Sequence, residues 1–206
     1  MAFTLAGPAM RQRQESVAGV GGTAYRVVMY ETEEELAALD ALLARSRAGA
    51  SAHLRAIVTD DRAPDAAEVV RMTSTMRTLA VATVTARGEP RISALDGHFL
   101  HGTWTFGTEA HSVKAGHLAR RPAVSVAWID GEAFGVFAHG SVRRLEPGDG
   151  WLEELVAHWT RYYGDSPESL GDVVLYRLEP SWMVAFRSGP VAPAPGPPER
   201  PDQTGG

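Results

Sequence analysis

The middle of the chain carries short runs in which apolar and β-branched residues recur, separated by turn residues. The clearest run spans residues 79–85, and a second begins at Pro90 after a turn that contains Gly88. Glycine accepts the positive φ of a tight turn, and proline is tolerated at the first position of a strand. Together these features predict an antiparallel hairpin.

The same pattern continues towards the carboxyl end of the chain. Further strands are predicted at residues 103–108, 123–129, 133–145 and 173–179, with a last strand at 183–187. Asp130-Gly131 is a strong hairpin turn between two of them. Strands joined mostly by tight turns, with few helices between them, indicate an antiparallel barrel. We therefore expect a mainly β fold.

Apolar residues three and four apart predict several helices around these strands. The helical segments are residues 33–48, 66–76, 112–119 and 151–163. Thr32 and Glu35 have the spacing of a capping box at the start of the first, and Gly164 ends the last. Residues 52–58 fit either a helix or a strand, because periodicity alone does not decide so short a run.

The two ends of the chain lack these patterns. Residues 1–24 mix Gly, Gln and Arg without a period, and residues 190–206 contain six prolines. Neither segment has enough apolar residues to offset the entropy of an ordered chain, so we expect disordered tails. Between them we expect an N-terminal helical extension at residues 25–77 and the barrel domain at residues 78–189.

Composition limits the possible functions. Lysine and arginine total 20 against 25 acidic residues, and no basic block occurs, which argues against nucleic-acid binding. The absence of cysteine excludes disulfides, thiolate catalysis and cysteine-ligated metals, and we expect no metal site. No run of about 18 apolar residues is present, so we expect no membrane span. A cytoplasmic location is the default prediction.

One predicted helix start combines groups that suit a phosphate. Thr108 ends a strand, and Ser112 and Lys114 begin the next helix, whose unpaired N–H groups favour an anion. On the predicted hairpin, Arg91 and Ser93 are two residues apart and therefore share one face of a strand. If that face lies beside the helix start, these side chains surround one anion. Otherwise Ser112 is an ordinary N-cap and the charged groups are solvated.

The order of these motifs resembles the pyridoxamine 5′-phosphate oxidase-like family of flavin- and deazaflavin-dependent oxidoreductases. The motifs are Gly-Glu-Pro at 88–90, Phe-Gly-Thr at 106–108, Ser-Val-Lys at 112–114 and His-Leu followed by Pro at 117–122. The resemblance covers residues 79–188. It implies a six-stranded antiparallel split β-barrel of Greek-key type with peripheral helices. It also implies a homodimer that holds FMN in a groove between its protomers.

The resemblance also implies roles for individual residues. Arg91 and Ser93 match the cofactor contacts on the second strand, and Thr108 matches the hydroxyl after the third. Ser112 and Lys114 match the phosphate-binding turn. The family's Phe-x-Thr motif further places Phe106 at the cofactor, and two tryptophans, Trp128 and Trp182, are candidates to stack near the flavin ring or to line a substrate groove.

The resemblance implies an oxidoreductase that uses FMN to transfer a hydride to or from a small conjugated molecule. Coenzyme F-420 and haem are the alternative cofactors. Val113 stands where pyridoxamine phosphate oxidases carry arginine, and their substrate signature is missing after Trp182, so that particular substrate is not expected. His139 is the candidate general acid or haem ligand. Two other classes stay open: a haem-binding or haem-processing protein, and a non-catalytic flavin-binding module.

Overall fold

The computed structural model describes residues 13–17 and 25–188. These residues form eight strands: β1 (Arg13–Val17), β2 (Tyr25–Met29), β3 (Arg77–Val84), β4 (Pro90–Leu100), β5 (Thr103–Glu109), β6 (Ala123–Asp130), β7 (Phe134–Arg144) and β8 (Val173–Arg187). They also form five α-helices: α1 (Glu33–Ala48), α2 (Ala52–Ile57), α3 (Ala66–Met72), α4 (Val113–Arg120) and α5 (Gly150–Tyr163). Short 3₁₀ turns follow at residues 60–62 and 167–170.

Six of the strands form a closed antiparallel barrel in the order β3-β4-β5-β8-β7-β6. Strand β8 lies between β5 and β7, which gives the Greek-key arrangement. The inner side chains form one apolar core, to which these residues contribute: Leu79, Val81, Phe99, Trp104, Phe106, Val126, Phe134, Val136 and Met183. The predicted mainly β, six-stranded antiparallel barrel is confirmed.

Strand β8 differs from its prediction, because the two short strands expected at 173–179 and 183–187 are one continuous strand. The pairing with β7 shifts between His139, which faces Trp182, and Gly140, which faces Pro180. Ser181 is the extra residue of this bulge. A bulge absorbs the missing N–H of a proline without ending the strand, and the sequence gives no signal for that.

The barrel is split beside β4. Residues 97–100 of β4 pair with β5, whereas residues 90–96 pair with β3 alone. Helix α4 bridges β5 and β3 at this opening. The Thr83 hydroxyl lies 3.0 Å from His117 Nδ1, and Arg121 Nε donates to the carbonyl of Val84 at 3.0 Å. We call the opening between residues 90–96 of β4 and the start of α4 the split.

The remaining helices cover other parts of the barrel. Helix α5 lies on the outer side of β5, where Gly107 leaves room for Trp159: a Cβ there would come within 2.7 Å of the indole. Helix α1 packs on β8, and its Ser46 hydroxyl accepts the backbone N–H of Met183 at 3.0 Å. The predicted capping box of α1 is present. Residues 52–57 form a helix rather than a strand.

Helix α3 ends at Met72, four residues before its predicted end at residue 76. The Thr73 hydroxyl donates to the carbonyl of Val69 at 2.7 Å, which satisfies one of the last carbonyls of the helix. The side chain of Arg77 also binds the carbonyl of Met72. These two contacts close the helix before β3 begins.

His101, in the turn between β4 and β5, binds side chains of two helices. Its backbone has a left-handed φ of 52°, and its ring lies 2.9 Å from a Glu35 oxygen on α1 and 2.8 Å from a Glu154 oxygen on α5. Burial opposes the charged ring, but the hydrogen bonds and charges of Glu154 and Glu35 outweigh it and raise the pKa of His101 to about 9.

The amino-terminal part contains a strand that the sequence did not predict. Strand β1 pairs with β2 over residues 13–17, within the segment expected to be disordered. Backbone pairing does not need an apolar side-chain pattern, so periodicity missed it. The other residues of the predicted tails, 1–12, 18–24 and 189–206, lie outside the described residues. Within the described ranges, no helix is long and apolar enough to cross a membrane.

Candidate functional site

The start of α4 brings together two of the predicted hydroxyl groups. Ser112 is the N-cap of α4, and its Oγ accepts the N–H of Ala115 at 3.2 Å. The Thr108 Oγ1, at the end of β5, lies 3.2 Å from the same oxygen. Thr108 is buried and Ser112 is partly exposed. The hydroxyl pair is therefore positioned by the end of a strand and the first turn of a helix.

Lys114 is the only lysine in the chain. It lies in the first turn of α4 and makes no hydrogen bond or ion pair with any residue that the structure describes. A helix start attracts anions through its free N–H groups and its dipole. An ammonium in the first turn of the helix, close in sequence to two hydroxyls, is a combination of groups that can bind a phosphate.

Arg91 and Ser93 share the inner side of β4 at the split. They face Thr83 and Val81 across the strand pair, and direct cross-strand partners point to the same side. Arg91 is exposed and pairs with Glu89 at 2.9 Å. Thr83, the neighbour of Arg91, touches His117 of α4.

The contact between Thr83 and His117 relates the two halves of the predicted cluster. Lys114 is three residues before His117 and therefore lies on the same side of α4, one turn nearer its start. Arg91 is therefore next to Thr83 on the strand side of the Thr83–His117 contact, and Lys114 is one turn from His117 on the helix side. That this arrangement binds a cofactor stays a prediction.

Two predicted cofactor residues are placed in the core instead. Phe106 is fully buried, with its ring 5.8 Å from that of Tyr176. Trp128 faces the barrel interior and is covered by Arg77, whose guanidinium carbon lies 4.6 Å from the indole centroid. Inward-facing aromatic side chains fill a barrel of this size, so neither ring is left an open surface for a ligand.

Trp182 and His139 lie on the other side of the sheet, on an outward surface built from five strands. Two adjacent cross-strand rows define it, and we call them the outer face: Ile92, Ala82, Ser125, His139 and Trp182, then Ala94, Ala80, Ala127, Phe137 and Val184. Val184 is buried, but the other members are exposed or half-buried, and Ile92 is 74% exposed. Only Ser125 and His139 have polar side chains.

The rings of His139 and Trp182 are stacked on this outer face, 4.7 Å apart and 18° from parallel. His139 Nδ1 lies 2.8 Å from the Ser125 hydroxyl, whereas Nε2 contacts no partner among residues 13–17 and 25–188. An open groove of about 560 Å³ runs past His139 towards Thr83 and Pro90. The groove joins the outer face to the hairpin that carries Arg91.

Sequence reasoning missed the outer face as a unit. Its rows exist only through the register of five strands, and residues such as Ile92 and Ala82 have no individual signal. The described part of the chain contains no group of three or more histidine and acidic side chains arranged to hold a metal ion.

Comparisons with known proteins identify the barrel. The family model described as pyridoxamine 5′-phosphate oxidase matches residues 65–186. A conserved hypothetical protein from Mycobacterium tuberculosis is 25% identical over 63% of this chain and 88% of its own, with a TM-score of 0.54. HutZ, the heme storage protein from Vibrio cholerae, is 20% identical over 58% of this chain and 93% of its own, with a TM-score of 0.52. The likeness to HutZ shows the fold alone.

A third solved structure also has a similar fold. A protein from Bacteroides thetaiotaomicron, described as a putative 5-nitroimidazole antibiotic resistance protein, is 13% identical over 61% of this chain and 85% of its own, with a TM-score of 0.51. At this identity it too shows only the fold. No curated protein matches the sequence significantly.

Proposed function

The chain belongs to the pyridoxamine 5′-phosphate oxidase family, and on that premise we propose that it is a flavin-dependent oxidoreductase. Its cofactor is FMN, bound by its phosphate at the split, and its substrate is a small conjugated molecule. Val113 is exposed at the first position of α4, where an arginine would be expected in a pyridoxamine phosphate oxidase. A different substrate is therefore proposed. The cytoplasmic location stays a prediction.

The observation that carries this proposal is the single lysine at the start of α4. Its free ammonium, the Ser112 and Thr108 hydroxyls and the exposed fork of Arg91 together match the charge of one phosphate group. Coenzyme F-420 has a longer acidic tail, for which more cations would have to converge. Arg87 is the nearest along the hairpin, and it pairs with Glu89 at 3.4 Å. The residues therefore fit FMN better.

A bound flavin would supply the hydride chemistry. The residues of the chain would then hold the phosphate and exclude water from the ring. Lys114 and Arg91 would neutralise the phosphate, and the Ser112 hydroxyl would donate to it. Because Glu89 competes for Arg91, part of that guanidinium must be released when an anion binds.

Reductive methylation offers a direct test, because it labels Lys114 and the chain's amino terminus as the only amines. Methylation keeps the positive charge of lysine. In ¹³C NMR, FMN should shift the Lys114 signal and leave the terminal signal unchanged. Riboflavin, which lacks the phosphate, should leave both in place. A Lys114 signal that responds equally to both compounds, or to neither, would reject the phosphate site.

We also propose that the protein is a homodimer formed through the outer face. This surface is apolar, and within the described chain most of it is covered by no helix; exposed apolar surfaces of this extent mark interaction sites. We expect light scattering to show a dimer at micromolar concentration, and Ile92→Glu to dissociate it by placing a charge in the interface. The matched control is Ile57→Glu, at an exposed isoleucine on α2. A monomer that still binds cofactor would contradict the proposal.

A haem-binding function is the second candidate, and His139 is the observation that favours it. Ser125 orients the ring through Nδ1, which leaves Nε2 directed away from that contact, and neutral imidazole is a common haem ligand. Reconstitution with hemin should then give a Soret band that His139→Ala abolishes. His111→Ala, at an exposed loop histidine, is the control. No Soret band, or one that persists in His139→Ala, excludes this function.

A further inference from the structure

The end of the β3–β4 hairpin extends beyond the strands that flank it. We call residues 83–91 the hairpin end. Strand β3 pairs with β6 over residues 80–82, and β4 pairs with β5 over residues 97–100. The groove of about 560 Å³ lies between Thr83 and Pro90 of the hairpin end and the start of β6. In the described part of the chain, the hairpin end therefore has no strand paired beside it.

Helix α4 supplies the side chains that hold the hairpin end. The Thr83 hydroxyl lies 3.0 Å from His117 Nδ1, and Arg121 Nε donates to the Val84 carbonyl at 3.0 Å. The other polar side chains of the hairpin end bond within it: Thr85, Arg87, Glu89 and Arg91. The position of the hairpin end thus depends on two groups of one helix.

The Thr83 hydroxyl needs its histidine partner. Thr83 is 1% exposed, and a buried hydroxyl without a hydrogen bond costs free energy. Because a hydroxyl both donates and accepts, it can bond to His117 Nδ1 whether or not that nitrogen carries a proton. The hydrogen bond is therefore independent of the tautomer and the charge of the ring.

The Thr83–His117 contact lies between the two halves of the proposed phosphate site. Thr83 is the direct cross-strand partner of Arg91, so these two side chains lie on one side of the hairpin. His117 is three residues after Lys114 and therefore one turn along the same side of α4. The contact thus sets the separation between the strand that carries Arg91 and the helix that carries Lys114.

Arg91 moves with the hairpin end because its own contacts are internal to that segment. Its guanidinium pairs with Glu89 at 2.9 Å and donates to the Pro90 carbonyl at 3.0 Å. Neither contact joins the hairpin end to the rest of the barrel. A shift of the hairpin end would therefore move Arg91 away from Lys114 without breaking these bonds.

We propose that His117 is a positioning residue of the phosphate site. Its hydrogen bond to Thr83 holds the hairpin end where Arg91 reaches the anion that binds at the start of α4. The inference rests on the proposed function, because that function supplies the phosphate. His117 acts through Arg91 and makes no contact with the phosphate.

FMN titrations of two His117 variants test this role. His117→Leu removes the hydrogen bond while Arg121 still holds Val84, so we expect a folded protein whose FMN affinity falls about tenfold, the contribution of one charge-assisted bond. His117→Asn should bind FMN like the wild type, because its amide is as far from the backbone as Nδ1 and can bond Thr83. Riboflavin, which lacks the phosphate, should bind all forms equally. The matched control is His53→Leu, at an exposed histidine on α2.

The Arg91→Ala background separates positioning from a general effect on α4. If His117 acts through Arg91, His117→Leu should not weaken FMN binding further once the guanidinium is gone. A disturbance of the whole helix would weaken binding again, because Lys114 and Ser112 also belong to α4. A further loss of about tenfold in the double variant would overturn the proposal. Equal FMN affinities of His117→Asn and His117→Leu would also overturn it.

Two further measurements do not depend on a flavin. Amide hydrogen exchange in residues 83–91 should be faster in His117→Leu than in the wild type, and His117→Asn should restore the slower rate. Inorganic phosphate should shift the ¹³C signal of methylated Lys114, and in His117→Leu this shift should require about tenfold more phosphate.

These measurements distinguish failure of the inference from failure of the proposed function. If the wild type binds inorganic phosphate but not FMN, the proposed function fails and the phosphate titrations still decide the role of His117. If FMN binds and His117→Leu changes neither its affinity nor the exchange of residues 83–91, the inference alone fails. If neither compound shifts the Lys114 signal, both fail.

Discussion

Replacing Lys114 and Arg91 together with alanine should abolish FMN binding at micromolar concentrations. Each substitution removes a charge-assisted hydrogen bond worth about 1.5–3 kcal/mol, which corresponds to roughly tenfold or more in affinity apiece. If both groups hold one phosphate they share a partner, so the loss in the double variant should differ from the sum of the two single losses. Fluorescence titration of FMN against the wild type, the two single variants and the double variant measures this directly.

Arg87→Ala is the matched control for this experiment. Arg87 is on the same hairpin and pairs with the same Glu89 as Arg91, but its side chain is 82% exposed in the turn. Its loss should change FMN affinity by less than about threefold, because exposed ion pairs contribute little. Unchanged titrations of the double variant with both FMN and coenzyme F-420 would remove the split as the cofactor site.

Raising the pH through 9 should destabilise the protein, because the His101 ring loses the charge that pairs it with Glu35 and Glu154. The folded pKa of about 9 lies above the ordinary 6.5, so the charged ring contributes its full stabilisation below pH 6.5. That stabilisation is lost as the pH rises from there through 9. The side chain is 7% exposed, and the shift corresponds to about 3 kcal/mol of unfolding free energy. Urea unfolding between pH 6 and 10 measures it.

His101→Asn isolates this contribution. Asparagine accepts the left-handed backbone at this position but cannot carry a charge, so the variant should be less stable at pH 6 and show a much flatter alkaline curve. Glu154→Gln should flatten the curve in part, because Glu35 still pairs with the ring. If His101→Asn declines with pH as steeply as the wild type, another group causes the alkaline loss.

His98 and His158 should act in the opposite direction. Both have lowered pKa values and are neutral when folded, so unfolding becomes more favourable as the pH falls below about 6.5 and the unfolded histidines take up protons. The stability curve of the wild type should therefore have its maximum near neutral pH. In His101→Asn, the decrease in unfolding free energy as the pH falls below about 6.5 should be the same as in the wild type.

The elements of the barrel were largely predictable from the chain because they depend on local order. The hairpin of β3 and β4 depends only on neighbouring residues: the run at 79–85, the turn at Gly88 and the strand start at Pro90. Thr32 and Glu35 form the capping box that their spacing predicts. The bulge at Ser181 was not predictable. A proline within an apolar run predicts the end of a strand, and only the pairing with β7 shows that the strand continues past Pro180.

The candidate site was predictable only in part. Ser112, Thr108 and Lys114 are close in sequence, so their proximity follows from one strand end and one helix start. Phe106 was predicted from its motif and Trp128 from its aromatic ring, but both side chains point into the barrel. Neither a motif nor a residue type determines which face of a strand is buried. The hydrogen-bonded chain of Tyr30, His158, His98 and Tyr163 joins residues from β4, α5 and the segment before α1, so no sequence window contains it.

The sequence by itself determined the hairpins, the helix starts, the family and the group of hydroxyl and ammonium side chains at the start of α4, because each rests on residues a few positions apart. The tertiary structure decided the strand register and the outer face. It also decided the burial of Phe106 and Trp128 and the hydrogen-bond networks of His101 and of His98 with His158. Closing the barrel fixes which side of each strand is inside, and only then do distant residues share a surface or a hydrogen bond.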